Sequence, residues 1–242
     1  MTEDRSVLSR TAPDPDTVLA YGNHADQVVD VWYGDPGRAL VVLLHGGFWR
    51  PEFDRRHLRP MAVALRDLGF PVAAVEYRRE PGRPDLTTGD VRQALESVPD
   101  LLETRHEAVV AGHSAGGHLA LWALARPLDR VRGVLALAPV ADLVAAERLD
   151  LDGGAAVAFL GTTAGDRPDL DPARLPTPQV PVTVVHGTAD GRVPYAMTES
   201  YTTNRPGVRV VTLDGVDHFA LIDPVGPAWP QVADELERLA HE

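Results

Sequence analysis

Gly112-His113-Ser114-Ala115-Gly116 is the stretch on which the reading of this chain turns. Glu107-Ala-Val-Val-Ala111, a short apolar β-type run, precedes it, and Gly117-His-Leu-Ala-Leu-Trp-Ala-Leu-Ala125 follows, helical in composition and halted by Pro127. Gly-x-Ser-x-Gly between strand and helix predicts a sharp turn that holds the serine in a strained backbone conformation, its hydroxyl lifted above the sheet edge. Glycines are needed on either side because a Cβ would clash where strand and helix close on each other. The bare pentapeptide matches many loops by chance; the strand before it and the helix after it make it informative.

Working outward, apolar runs alternate with amphipathic ones. Val28–Trp32 alternates like an outer strand, and Ala39–Leu44 is continuous and β-branched, as a fully buried strand is. Further strands are read at Pro71–Tyr77, Glu107–Ala111, Gly133–Ala138, Val180–Val185 and Val208–Leu213. Helices are read at Arg55–Leu68, with Leu58, Met61, Leu65 and Leu68 on one face, at Thr88–Leu102, and at Ala228–Glu242, with Val232, Leu236 and Leu239 inward. This alternation predicts an α/β fold, a mostly parallel central sheet with helices on both faces. The whole chain, 1–242, reads as one domain, interrupted only at about 143–179 by a small Pro- and Asp-rich insertion in place of a large cap. In such a sheet ligands bind beyond the C-terminal ends of the strands.

Composition narrows the chemistry. A chain of 242 residues with 44% hydrophobic content can bury one sizeable core. With no cysteine, disulfides, zinc–thiolate sites and a cysteine nucleophile are excluded. All 23 basic residues are arginine, which removes Schiff-base and Ser-Lys chemistry and, with 21 Gly and 21 Pro, suggests a high-GC bacterial genome. The net charge of −12, with the acids scattered, disfavours nucleic acid and anionic membranes as partners. The first thirty residues carry Asp14, Asp16, Asp26 and Asp30 and no apolar run, so no signal peptide is expected, nor any membrane span; the expected location is cytoplasmic.

His45-Gly46-Gly47-Phe48-Trp49 follows the strand ending at Leu44. Acyl transfer builds negative charge on a carbonyl oxygen, and a glycine-rich loop can aim backbone N–H groups at that oxygen in advance. The donors expected are those of Gly47 and Phe48, joined by that of Ala115; the plain alternative is a tight turn. Ser114 then needs a base and the base an orienting carboxylate, in chain order serine, acid, histidine. Of nine histidines, His218 follows both serine and acid in a loop after the last strand, whereas His186 ends a strand too early. Asp190, in the loop after Val180–Val185, is the expected acid; Asp142 is its rival, and Asp217 reads as a loop-fixing Asx residue.

Together the Ser114 turn, the His45-Gly-Gly loop, Asp190 and His218 resemble the α/β-hydrolase superfamily over residues 40 to 225. Within it, His45–Trp49, Gly112–Ala120, Val140-Ala-Asp-Leu143 and Val216-Asp-His-Phe219 resemble the kynurenine formamidase (arylformamidase)-like esterases. Glu76-Tyr77-Arg78-Arg79 departs from them and looks like the Tyr-Arg of general carboxylesterases. The resemblance implies a catalytic triad Ser114, Asp190 and His218, an oxyanion hole from the N–H groups of Gly47, Phe48 and Ala115, and no cofactor or metal. It implies a small ester or amide substrate, aromatic if Phe48, Trp49 and Phe219 form a wall beside the loops; ordinary core packing is the alternative for each. Tyr195 and Met197 are further rim candidates, Trp122 is read as core, and His118 as a structural hydrogen-bonding residue. Two other functions compete: an oligopeptidase-like serine peptidase and a non-catalytic binding protein on the same scaffold. The oligomeric state is left open, a homodimer being one option.

Overall fold

The computed structural model describes residues 3–241. One eight-stranded sheet runs in the order β1 (Thr17–Ala20), β2 (Val28–Trp32), β4 (Val72–Val75), β3 (Val41–Leu44), β5 (Ala108–His113), β6 (Val131–Leu137), β7 (Val182–Gly187), β8 (Val208–Leu213). The first two strands pair antiparallel, and every pairing from β4 to β8 is parallel. The expected α/β fold is therefore present, with one more strand than the apolar runs suggested. β1 escapes notice because it is a four-residue edge strand with alternate residues exposed.

The period of two along the strands sorts side chains into two cores. Val41 and Leu43 face α1 (Arg59–Asp67) and α7 (Trp229–His241), meeting Met61, Leu65, Val232, Leu236 and Leu239. Val42 and Leu44 face α2 (Pro84–Leu101) and α3 (Ala115–Leu124), where Val91, Leu95 and Leu119 lie. Each such side chain taken fully out of water contributes roughly 1.5–3 kcal/mol. This double layer fixes the sheet, and with it the row of loops at the ends of β3, β5, β7 and β8.

Some boundaries moved. The helix expected over 55–68 splits into a 3-10 turn at Arg55–Leu58 and α1, and Leu68 is 42% exposed because the helix has ended before it. α2 begins four residues early, with Pro84 in its first turn and Asp85 beside the positive end of the helix dipole. The closing helix ends at His241, and Glu242, like residues 1 and 2, lies outside the described residues. Residues 143–179 hold α4 (Leu143–Arg148), α5 (Ala155–Leu160) and three 3-10 turns, folded against α3 and Trp49. A last helix, α6 (Ala196–Thr202), lies between β7 and β8. No helix among the described residues is long and apolar enough to cross a membrane.

Candidate active site

Ser114 sits between β5 and α3 at φ 57°, ψ −117°, a conformation that disfavours any side chain and costs of order 1–3 kcal/mol. Its peptide is pinned from both sides: Ser114 N donates to Leu137 O at 2.8 Å, and Ser114 O accepts from His118 N at 3.1 Å and Val140 N at 3.2 Å. The flanking glycines make the turn sterically feasible. A Cβ on Gly112 would lie 2.2 Å from Gly116 O, and one on Gly116 would lie 2.0 Å from Leu44 O.

Across the sheet edge, the loop after β8 carries His218 and the loop after β7 carries Asp190. His218 Nδ1 donates to Asp190 Oδ2 at 2.6 Å. Asp190 Oδ1 accepts from the backbone N–H groups of Arg192 at 2.8 Å and Val193 at 2.7 Å. Burial alone would raise the pKa of this carboxyl, but donors from His186, His218 and the Val193 backbone outweigh it and hold the group ionised far below the usual range. Ser114 and His218 line one cavity, although among the described residues no hydrogen bond joins the Ser114 hydroxyl to His218. Such bonds are often long without substrate.

His186, set aside in the sequence as lying too early, is part of this arrangement. Its Nε2–H faces Val193 O at 2.9 Å and Asp190 Oδ2 at 3.2 Å, while Nδ1 accepts from Thr198 Oγ1 at 2.6 Å. His113 is a second unforeseen neighbour. Its ring packs 4.4 Å from that of His218, and its Nε2–H donates to the His218 carbonyl at 3.1 Å. Burial, then the nearby imidazoles, push its pKa well down, so it holds the His218 backbone as a neutral ring. The rival acid lies elsewhere. Asp142 caps α4 by accepting from Ala145 N at 2.8 Å and also receives the Ser200 hydroxyl. Asp217 accepts from Phe219 N at 3.1 Å and Ala220 N at 3.0 Å, an Asx turn that starts the loop after His218.

The loop after β3 bends through three left-handed residues, Gly47 (φ 107°), Phe48 (φ 50°) and Trp49 (φ 55°). A Cβ on Gly47 would fall 2.4 Å from that of Phe53. Among the described residues, no hydrogen bond uses the N–H groups of Gly47 or Phe48, and that of Ala115 is the first in α3, where helices lack internal partners. His45 anchors this loop: it stacks on Tyr77 at 4.2 Å, its carbonyl accepts from Tyr77 Oη at 2.6 Å, and Nε2 meets Glu76 at 3.0 Å. Glu76 also receives Arg55 N at 3.1 Å and the Arg79 guanidinium, so the Glu76–Arg79 segment braces the loop.

The cavity over Ser114 holds about 30 Å³, room for roughly two waters. Phe48 and Phe219 line it, as do His57, His113, Arg5 and Arg192. Trp49 does not: it stacks on Phe159 at 4.6 Å and meets His118 edge-on, because its own positive φ turns it away from Phe48 into the core. Met197 is fully buried, and Tyr195 Oη pairs with Thr212 Oγ1 at 2.6 Å; neither lines the cavity. His118 Nε2 donates to Leu170 O at 2.8 Å, a structural bond.

Comparison with known proteins places the chain in a family. The model of the alpha/beta hydrolase family matches residues 41–175, more than half of the chain. The kynurenine formamidase of Danio rerio is 32% identical over 127 residues, 51% of this chain and 42% of that protein. That of Salmo salar is 31% identical over 112 residues, 43% of this chain and 38% of that protein. The matched part thus spans less than half the length of these curated relatives. Among solved structures, esterase B from Lactobacillus rhamnosis superposes with a TM-score of 0.79 at 18% identity, covering 98% of this chain and 89% of that one. An esterase from Thermogutta terrifontis gives 0.67 at 20% identity, covering 92% of each chain, and at such identities the likeness is one of fold. The chain belongs to the alpha/beta hydrolase family.

Proposed function

We propose that this protein is a serine hydrolase that cleaves a small ester or an aryl formamide through an acyl-enzyme. The observation that carries the reading is the coincidence, at one cavity, of a serine at φ 57° and a histidine whose far nitrogen is bonded to a buried carboxylate at 2.6 Å. In this mechanism Ser114 Oγ attacks the substrate carbonyl carbon and its proton passes to His218 Nε2. The carbonyl oxygen becomes an oxyanion, met by the N–H groups of Gly47, Phe48 and Ala115. As the tetrahedral intermediate collapses, the bond to the leaving oxygen or nitrogen breaks and His218 returns the proton to it. Water, deprotonated by the same histidine, then releases the acid and restores Ser114. Asp190 keeps the imidazole in the required tautomer throughout.

Formyl and acetyl groups are of the size the cavity holds, and the similarity to kynurenine formamidases supports the formamide among the candidates. The test is a panel of N-formylkynurenine, short p-nitrophenyl esters and a proline-containing peptide, run on wild type and Ser114→Ala. Turnover of an ester or the formamide that is lost with Ser114, together with fluorophosphonate labelling at that serine, is the expected result. Folded wild-type protein that takes no label and turns over nothing would sink the reading in favour of a binding protein. Preferential peptide cleavage would replace it with a peptidase.

A further inference from the structure

The segment ahead of β1 is tied down over the mouth of the cavity. Glu3 Oε1 accepts from Gly191 N at 2.8 Å, next to Asp190, and Asp4 N donates to Asp217 Oδ2 at 3.3 Å, next to His218. Val7 is buried, and Arg10 pairs with Asp223 at 2.7 Å. Arg5 is thereby held between anchors on both sides. Its guanidinium stands 5.5 Å from the centre of the Phe219 ring and lines the cavity that contains Ser114.

Arg5 has no carboxylate partner among the described residues, although acids outnumber bases in this chain by 35 to 23. A second guanidinium, that of Arg192, lines the same cavity 5.9 Å from the Phe48 ring. It makes a single 3.3 Å contact with Asp152, which Arg50 already engages at 2.6 Å. Among the described residues no aspartate or glutamate lines the cavity, and burial pushes His57 and His113, two of its three lining histidines, toward their neutral forms. In a strongly acidic protein two guanidinium groups thus line the entrance to the serine. A guanidinium beside an aromatic ring keeps its N–H edge free, and that edge matches the two oxygens of a carboxylate.

We infer that Arg5, with Arg192 as a second donor, is a specificity-determining residue, and that the preferred substrate carries a carboxylate on the group leaving Ser114. The inference rests on the hydrolytic reading above. It is tested with two nearly isosteric acetates, 4-acetoxybenzoate and the uncharged 4-acetoxybenzamide, on wild type and Arg5→Glu, an exposed position whose folding is checked by thermal melting. Each rate is divided by that of spontaneous hydrolysis. Wild type is expected to favour the carboxylate at least tenfold in kcat/KM, and Arg5→Glu to lower that ratio fivefold or more. A wild-type ratio below tenfold, or a change smaller than fivefold in the folded variant, overturns the inference and leaves the hydrolase standing. Wild type that turns over neither acetate yet takes the fluorophosphonate label overturns the inference alone, and wild type that neither turns over any substrate nor takes the label overturns both.

Discussion

His186 Nε2 lies 3.2 Å from the same Asp190 oxygen that receives His218 Nδ1, so one carboxylate oxygen is shared by two imidazoles. His186 in turn is fixed by Thr198 at 2.6 Å, which ties the acid of the proposed triad to α6. His186→Asn is expected to lower kcat about tenfold with little change in KM, the size of one charge-assisted hydrogen bond. Its acidic limb of kcat/KM should move to higher pH, because a carboxylate with one donor fewer favours the imidazolium more. A merely structural loss would lower thermal stability and leave the limb in place.

Asp190→Asn should cut kcat by roughly four orders of magnitude with the fold retained, since the wrong tautomer of His218 is then held toward Ser114. Asp142→Ala should instead keep most of its turnover and lose about 1 kcal/mol of stability, the usual cost of an N-cap. Steady-state kinetics beside urea denaturation separates the two. Equal losses of turnover would return Asp142 to the candidates for the acid.

Ser114→Gly should remove activity and stabilise the protein. Glycine adopts φ 57°, ψ −117° without a Cβ penalty, so a gain of about 1 kcal/mol is expected in the denaturation midpoint. Ser114→Ala keeps the strain and should show no such gain. A glycine variant no more stable than the alanine one would mean that the turn is unstrained.

Acid should weaken the fold from about pH 6.5 downward, before most carboxylates titrate. Burial lowers the pKa of His118 from 6.5 to about 4. Between those values the unfolded chain binds a proton that the folded chain does not, so stability falls as pH falls. That lowering corresponds to on the order of 3 kcal/mol for this residue, complete once the pH is below about 4. Asp190 and Glu76, whose folded pKa values are depressed, add stability present above their unfolded values of 3.8 and 4.5 and lost as pH falls through the lower folded ones. Urea midpoints at pH 7, 5.5 and 4.5 measure the histidine part, and His118→Gln should flatten the slope between 6.5 and 4.

Where the fold depends on backbone shape, the sequence is legible. The turn at Ser114 and the glycine loop at Gly46–Gly47 can be built from few residue types, and buried parallel strands announce themselves by unbroken β-branched runs. Side-chain direction was harder. Phe48 and Trp49 are adjacent, yet only Phe48 reaches the cavity, because consecutive positive φ values send the two rings apart. His186 was passed over because chain order asks only which histidine follows the acid, and its bond to Asp190 runs from a strand end into the next loop. Residues 3–10 carry no periodicity, and their partners lie 188 to 213 positions away, beyond the reach of any local pattern.

Those distant partners also set an order of events. Glu3 to Arg10 dock on Gly191, Asp217 and Asp223, which are synthesised long after them. A growing chain can bring β3 and β5 together early and form the turn at Ser114. The entrance, with Arg5 over Phe219, closes only when these two distant segments meet. Completion of this cavity is thus a later step than formation of the turn at Ser114.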